Sequence, residues 1–244
     1  MTERGFRIIL GYVSQPPSVL ELIEESRLIS DELSKSLPEV LEIASVSVTA
    51  KLPFKALSLR ESLIHRASEL SDTALDLYDA RRFVPTCIVT RALMETTGLM
   101  VSLTTRVQAV VESGEVGDMD TFLMKGLMGS RLDEPEFPSL NALSGIDRVA
   151  KLEGDFQPSF REMYDWLCEF THPNWSGVAG SYSRIEQENW RVLFGRRRDP
   201  EEWRFLEAPL HRSLWLFRNY YNGIAPLVPP FIKLCEDDLS DRDT

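Results

Sequence analysis

Residues 84–112, VPTCIVTRALMETTGLMVSLTTRVQAVVE, constrain the fold more than any other part of the chain. Apolar and small side chains fall almost all round a helical wheel there, which marks a helix enclosed by its neighbours. From Val84 to Thr105 the only charged residues are Arg91 and Glu95, four apart and therefore on one face. Two charges near the middle argue against a membrane-spanning helix. The helix is instead expected at the centre of a soluble bundle. Its two charges either pair with each other and with neighbouring helices or line a polar pocket, because breaking a buried pair costs about 3–5 kcal/mol.

Helical spacing recurs on both sides of this run. Leu57, Leu63, Ile64, Ala67, Leu70, Ala74, Leu77 and Tyr78 predict an amphipathic helix over 56–80. Shorter helices are predicted over 118–128 and 141–152, separated by the proline-broken stretch RLDEPEFPSL. Pro158 suits the first turn of a further helix, with an apolar stripe of Phe160, Met163, Tyr164 and Leu167. That helix should end at His172, because the residue before Pro173 resists the α conformation. Residues 209–235 read as helical, bent or broken at Pro226 and Pro229-Pro230. Before residue 53, Ser18–Ser36 and Pro38–Ala50 supply one or two helices, with VSVTAKL read as helix rather than strand. The spacing changes only in GSYSRIEQENWRVLFGR, where bulky residues alternate on both sides of Gln-Glu-Asn. This predicts a β-hairpin over 181–195. The expected fold class is therefore mainly α, a helical bundle with one small β-hairpin near residues 181–195. Its parts are an N-terminal helical extension (1–52), a helical domain including the hairpin (53–236) and a frayed acidic tail (237–244).

Charge and cysteine usage narrow the function classes. A formal net charge of −11 leaves no general attraction for nucleic-acid backbones, so no general DNA binding is expected. The best local basic run, Arg196-Arg197-Arg198, reads as a solvated turn. Cys87, Cys168 and Cys235 have neither disulfide-framework nor zinc-site spacing, which points to a reducing compartment. The apolar run near the N-terminus is too short and too interrupted for a signal peptide. A cytoplasmic protein without a membrane partner, cofactor or resident metal is expected.

The densest chemistry is at residues 164–175, YDWLCEFTHPNW. On an ideal helix Asp165, Glu169 and His172 share one polar sector, with Cys168 at its edge. This is either a solvated face or a site. A histidine at a helix C-terminus, near carboxylates, is biased toward its protonated form and can donate a proton or hold an anion. Cys168 and His172, four apart, also fit a thiol nucleophile, although cysteine in such a stripe is more often packing. Glu169-x-x-His172 is half of a carboxylate-bridged metal motif, for which Glu61, His65 and Glu69 are further candidate ligands.

Two motifs together, Arg91-Ala-Leu-Met-Glu95 on one helix and Glu169-Phe-Thr-His172-Pro173-Asn174 ending a later one, resemble the HEPN superfamily (higher eukaryotes and prokaryotes nucleotide-binding domain). The likeness is greatest to its uncharacterised bacterial branches. Gly177 and Gly180, leading into the hairpin, fit the same pattern, and the resemblance spans residues 56–225. It implies a helical bundle, often dimeric, and in many members a metal-independent endoribonuclease of toxin or phage-defence type. In those, an arginine separated from the histidine by four to six intervening residues completes the site. Here Leu167, Trp166 and Asp165 stand in those places, Arg161 is too far along the helix, and Arg91 can approach only through tertiary packing.

The functional expectation is a binding or interaction module with a polar pocket near His172. The alternatives are a ribonuclease in which Arg91 supplies the displaced cation, and a metal-binding bundle. The candidate catalytic residues are His172, Arg91 and Glu95, and the candidate ligand-binding residues are Asn174 and Glu169. The expected partners are an RNA or nucleotide ligand and a second copy of the chain. The homodimer follows from the resemblance and from the aromatic-rich run Leu214–Tyr221.

Overall fold

The computed structural model describes residues 19–132, 136–196 and 200–242. The helices are α1 (Val19–Lys35), α2 (Ile43–Val46), α3 (Lys51–Asp79), α4 (Phe83–Ser113), α5 (Met119–Met128), α6 (Ala142–Glu153), α7 (Phe160–Thr171), α8 (Ala179–Tyr182), α9 (Pro200–Gly223) and α10 (Val228–Arg242), with a 3₁₀ turn at Ala225–Leu227. Strands β1 (Ser183–Glu186) and β2 (Arg191–Phe194) form one antiparallel hairpin. The mainly α bundle with a small hairpin is thus what the chain adopts.

The long apolar helix α4 is central, packed by α3, α9, α6 and α7. It serves two cores at once. Leu93, Met100, Leu103, Val107 and Val110 face a core shared with α1, α3, α5, α9 and α10. Phe83, Cys87, Met94 and Val101 face a second one, built with α6, α7 and α9. This double use explains why its sequence is apolar on all sides. The first core also takes Ile23, Ile29 and Leu33 of α1, from the segment 1–52. The seam between α1 and α3 is polar: Ser30 and Ser71 share a 2.6 Å hydrogen bond, and Ser34 and Ser68 one of 2.8 Å.

Helices α4 and α6 cross closely because both carry glycine at the crossing. A Cβ on Gly98 would come within 2.8 Å of the Gly145 carbonyl carbon, and one on Gly145 within 2.8 Å of that of Gly98. Helix α7 begins with a capping box in which Ser159 and Glu162 satisfy each other's backbone amides. His172 is its C-cap, with ψ of 149°, the extended geometry required before proline.

Three elements differ from expectation. Pro38–Ala50 is not a helix; only Ile43–Val46 turns helically. Ser47 accepts hydrogen bonds from the amides of Thr49 and Ala50, so a side chain replaces helical bonding there. The C-terminal helical region begins at Pro200 rather than at Pro209, which lies inside α9. Burial of Leu206, Leu210 and Leu214 outweighs its missing amide. The acidic segment is helical to Arg242: Phe231 and Cys235 anchor α10 in the core, and Ser47 bonds Glu236. The first residues of the chain, Arg197-Arg198 of the basic run and the last two residues of the tail lie outside the described residues.

Candidate functional site

Arg91 and Glu95 are joined by Tyr164 of α7. Arg91 Nη2 lies 3.2 Å from Glu95 Oε1 and donates to the Tyr164 hydroxyl at 2.9 Å; that hydroxyl donates to Glu95 Oε1 at 2.8 Å. The guanidinium also sits 5.1 Å from the Tyr164 ring centroid. Both charged side chains are half-buried. Burial, reinforced by the bond to Glu95, pushes the Tyr164 hydroxyl up to about 12, so it remains a donor at neutral pH. Burial likewise raises the Cys168 thiol, although Arg91 pulls the other way. That direction runs against the nucleophile role considered for Cys168, which calls for the thiolate.

The two helices run antiparallel. Tyr164 meets Arg91 and Glu95, whereas Phe170, later in α7, meets Phe83 at the start of α4 with ring centroids 5.1 Å apart. His172 therefore lies two turns, about 12 Å, beyond Tyr164 along the axis of α7. It is exposed, and its imidazole makes no hydrogen bond among the described residues. Its backbone closes the turn instead: the amide bonds Cys168 O at 3.1 Å and the carbonyl accepts from Asn174 at 2.8 Å.

The two candidate ligand-binding residues are used in the same turn. Asn174 Nδ2 donates to Glu169 at 3.0 Å, and its Oδ1 accepts from the amide of Gly177 at 3.0 Å. A side chain at position 177 would collide with the His172 carbonyl, which explains that glycine. Arg161 turns away to Asp165 and Asp147. The other candidate metal ligands have partners of their own: Glu61 bonds Arg60 and Tyr221, and His65 Nε2 lies 2.8 Å from the Pro38 carbonyl. Among the described residues no group of three or more His, Cys, Asp or Glu is arranged to hold a metal. No helix among them is long and apolar enough to cross a membrane.

A cavity of about 340 Å³ opens on the other side of Glu95. Of the candidate site residues named from the sequence, Glu95 alone lines it. Its apolar wall is Leu63, Leu99, Phe122 and Leu140, and its polar wall holds Arg66, Arg106 and Arg148 with Thr96, Ser102, Asn141 and Ser144. The start of α6 also lines it through Ala142, Ser144 and Gly145, with Asn141 as N-cap accepting from Leu143 at 3.0 Å. The close Gly98–Gly145 crossing brings this helix end against α4.

The three guanidinium groups come from three helices. Arg66 Nε donates to Thr96 Oγ1 at 3.1 Å, and Arg148 Nη1 to Thr105 Oγ1 at 3.2 Å. Arg106 pairs with the exposed Asp118 at 2.8 Å and lies 4.6 Å from the Phe122 ring centroid. Among the described residues neither Arg66 nor Arg148 has a carboxylate partner. Burial and the neighbouring Arg106 pull the Arg148 guanidinium below its ordinary value. These arginines were not anticipated, since no sequence spacing links three helices. One signal was present: Glu95, Leu99, Ser102 and Arg106 follow at four-, three- and four-residue steps, a mixed face on an otherwise apolar helix.

No protein-family model matches the chain, and no curated protein or solved structure matches it either.

Proposed function

We propose that this chain is a non-catalytic, HEPN-like binding module that holds a small phosphate-bearing molecule in the cavity between α3, α4, α5 and α6. The observation that carries this reading is the convergence of Arg66, Arg106 and Arg148 on one cavity with two of them lacking a carboxylate partner. Arginine forks match phosphate oxygens, and the N-terminus of α6, which lines the same cavity, adds partial positive charge. The cavity falls within the roughly 300–1,000 Å³ of small-molecule sites. Its apolar wall suits a base or another flat apolar body. The family part of the proposal rests on the two motifs, and the non-catalytic part on the absence of an arginine at the positions before His172.

Calorimetric titration with adenosine monophosphate, inorganic phosphate and adenosine tests it. The phosphate-bearing compounds bind and adenosine does not. Arg148→Gln and Arg66→Gln each weaken binding at least about tenfold, since a hydrogen bond to a charged group is worth about 1.5–3 kcal/mol. Failure of every phosphate compound to bind at millimolar concentration overturns the ligand assignment. Chelator-resistant cleavage of RNA that is lost in His172→Ala overturns the non-catalytic reading and favours a ribonuclease.

A further inference from the structure

Neither backbone nor packing accounts for tryptophan at position 190. Trp190 stands in the turn between β1 and β2 at a φ of 48°, in the left-handed region that suits glycine or asparagine and is rare for a bulky side chain. It is also 92% exposed, so it fills no core. A side chain held in an unfavourable conformation without burial points to a role outside the monomer. The strands extend the same surface. Ile185 stands opposite Val192 and Ser183 opposite Phe194, which puts these four side chains on one face. Ile185 is 73% exposed and Phe194 83%. None of residues 183–196 is buried, and apart from strand on strand the hairpin packs chiefly on the preceding turn, α8. A two-stranded hairpin alone is marginal in water and needs a third strand or a packed face. The aromatic-rich run Leu214–Tyr221 offers no comparable surface, because Leu214, Leu216, Phe217 and Tyr221 are buried in the chain's own core.

Charge indicates what covers the hairpin. Residues 183–199 carry five arginines, at 184, 191, 196, 197 and 198, against Glu186, Glu188 and Asp199, a net +2 on a chain of −11. Arg191 pairs with Glu186, whereas Arg184 and Arg196 make no ion pair among the described residues. Salt at about 0.15 M screens exposed charges beyond about 8 Å, so an approaching surface meets the hairpin's arginines rather than the net charge of the whole bundle. The complementary surface is anionic.

We infer that the hairpin docks the chain on an anionic lipid surface. Trp190, Ile185, Val192 and Phe194 enter the headgroup region, and the arginines meet lipid phosphates. Shape favours lipid over a folded acidic partner: a two-stranded ribbon has no groove to seat another protein's side chains, while a fluid surface conforms to it. Tryptophan belongs at the headgroup level, and arginine lays its stem along apolar surface while its guanidinium reaches phosphate. Such a contact lies within the interface and needs no spanning helix, and it replaces the expectation of a chain without a membrane partner.

Flotation of the full chain with vesicles of equal phosphatidylcholine and phosphatidylglycerol, and with phosphatidylcholine alone, tests the inference. The chain floats with the anionic vesicles, and its tryptophan emission shifts blue. Arg196→Glu weakens that binding at least about tenfold, since each basic residue near an anionic surface contributes about one power of ten or less and the reversal counts twice. Phe194→Ser weakens it in the same direction through the apolar face, and both variants keep the wild-type melting temperature. Lys233→Glu, the same charge reversal on α10, leaves binding within about twofold. No flotation with anionic vesicles at millimolar lipid overturns the inference, as does equal flotation with phosphatidylcholine alone or binding indifferent to both hairpin substitutions. A chain that binds soluble polyglutamate or polyuridylate but not the vesicles overturns it in favour of an acidic protein or an RNA.

Discussion

The Tyr164 hydroxyl donates a 2.8 Å hydrogen bond to Glu95 while accepting one from Arg91. One phenol on α7 thus completes a charge pair that α4 could only half satisfy within its own length. The pair is closed from the α7 side, while Glu95 also borders the arginine-lined cavity. The polar centre of the bundle is consequently a structural tie with one edge facing a cavity.

Tyr164→Phe removes both hydrogen bonds and leaves two half-buried charges short of a partner. The expected cost is about 1–3 kcal/mol, read as a lower urea midpoint with unchanged slope. An unchanged midpoint would show that water replaces the phenol without loss.

Gly145→Ala forces a methyl group into the Gly98 backbone, which leaves no flexible atom to move aside. Helices α4 and α6 must separate, at about 1–3 kcal/mol. Thermal melts should show this loss, and the same substitution at Gly223, where a Cβ meets nothing within 4 Å, should not.

Glu207 accepts from the Tyr78 hydroxyl through Oε1, while its buried Oε2 has no partner among the described residues. Burial raises its carboxyl above the ordinary value, so the folded state holds that proton more tightly than the unfolded chain does. Its contribution to stability is greatest in acid and declines as pH rises from about 4.3, the ordinary glutamate value, through the folded value. Glu207→Gln should therefore gain on the wild type between pH 4 and pH 7 in urea unfolding. A difference that is constant across that range contradicts the assignment.

His172 and Asn174, two residues apart, should respond differently to alanine. The exposed imidazole has no hydrogen bond among the described residues, so His172→Ala should stay within about 0.5 kcal/mol of the wild type. Asn174→Ala loses the bonds to Glu169 and to the Gly177 amide and should cost about 1 kcal/mol. Equal shifts in melting temperature would contradict the turn described here.

Much of the architecture was legible because it is written in local periodicity. The apolar wheel of 84–112, the stripe of Phe160, Met163, Tyr164 and Leu167, and the alternation around Gln-Glu-Asn each set an element by its own neighbours in the chain. The closure of α7 at His172 was legible too, because the steric demand of Pro173 acts on the adjacent residue. Pro38–Ala50 was misread because Ser47 hydrogen bonds compete with helix at short range, and Pro209 because burial of its neighbours overrides its helix-breaking chemistry.

The candidate site divides in the same way. Arg91 and Glu95 stood out in the sequence because a charge on an apolar helix demands company, but their partner did not: Tyr164 read as one more stripe residue, and only packing turned its hydroxyl toward them. Arg66, Arg106 and Arg148 stand on three separate helices, which no sequence spacing links. The Gly98–Gly145 contact brings α6 close to α4 and gathers the three around one cavity. Sequence by itself determined the elements, because propensity and periodicity act between residues a few positions apart. Tertiary structure decided which charges share a space, because that depends on helix crossings between segments far apart in the chain.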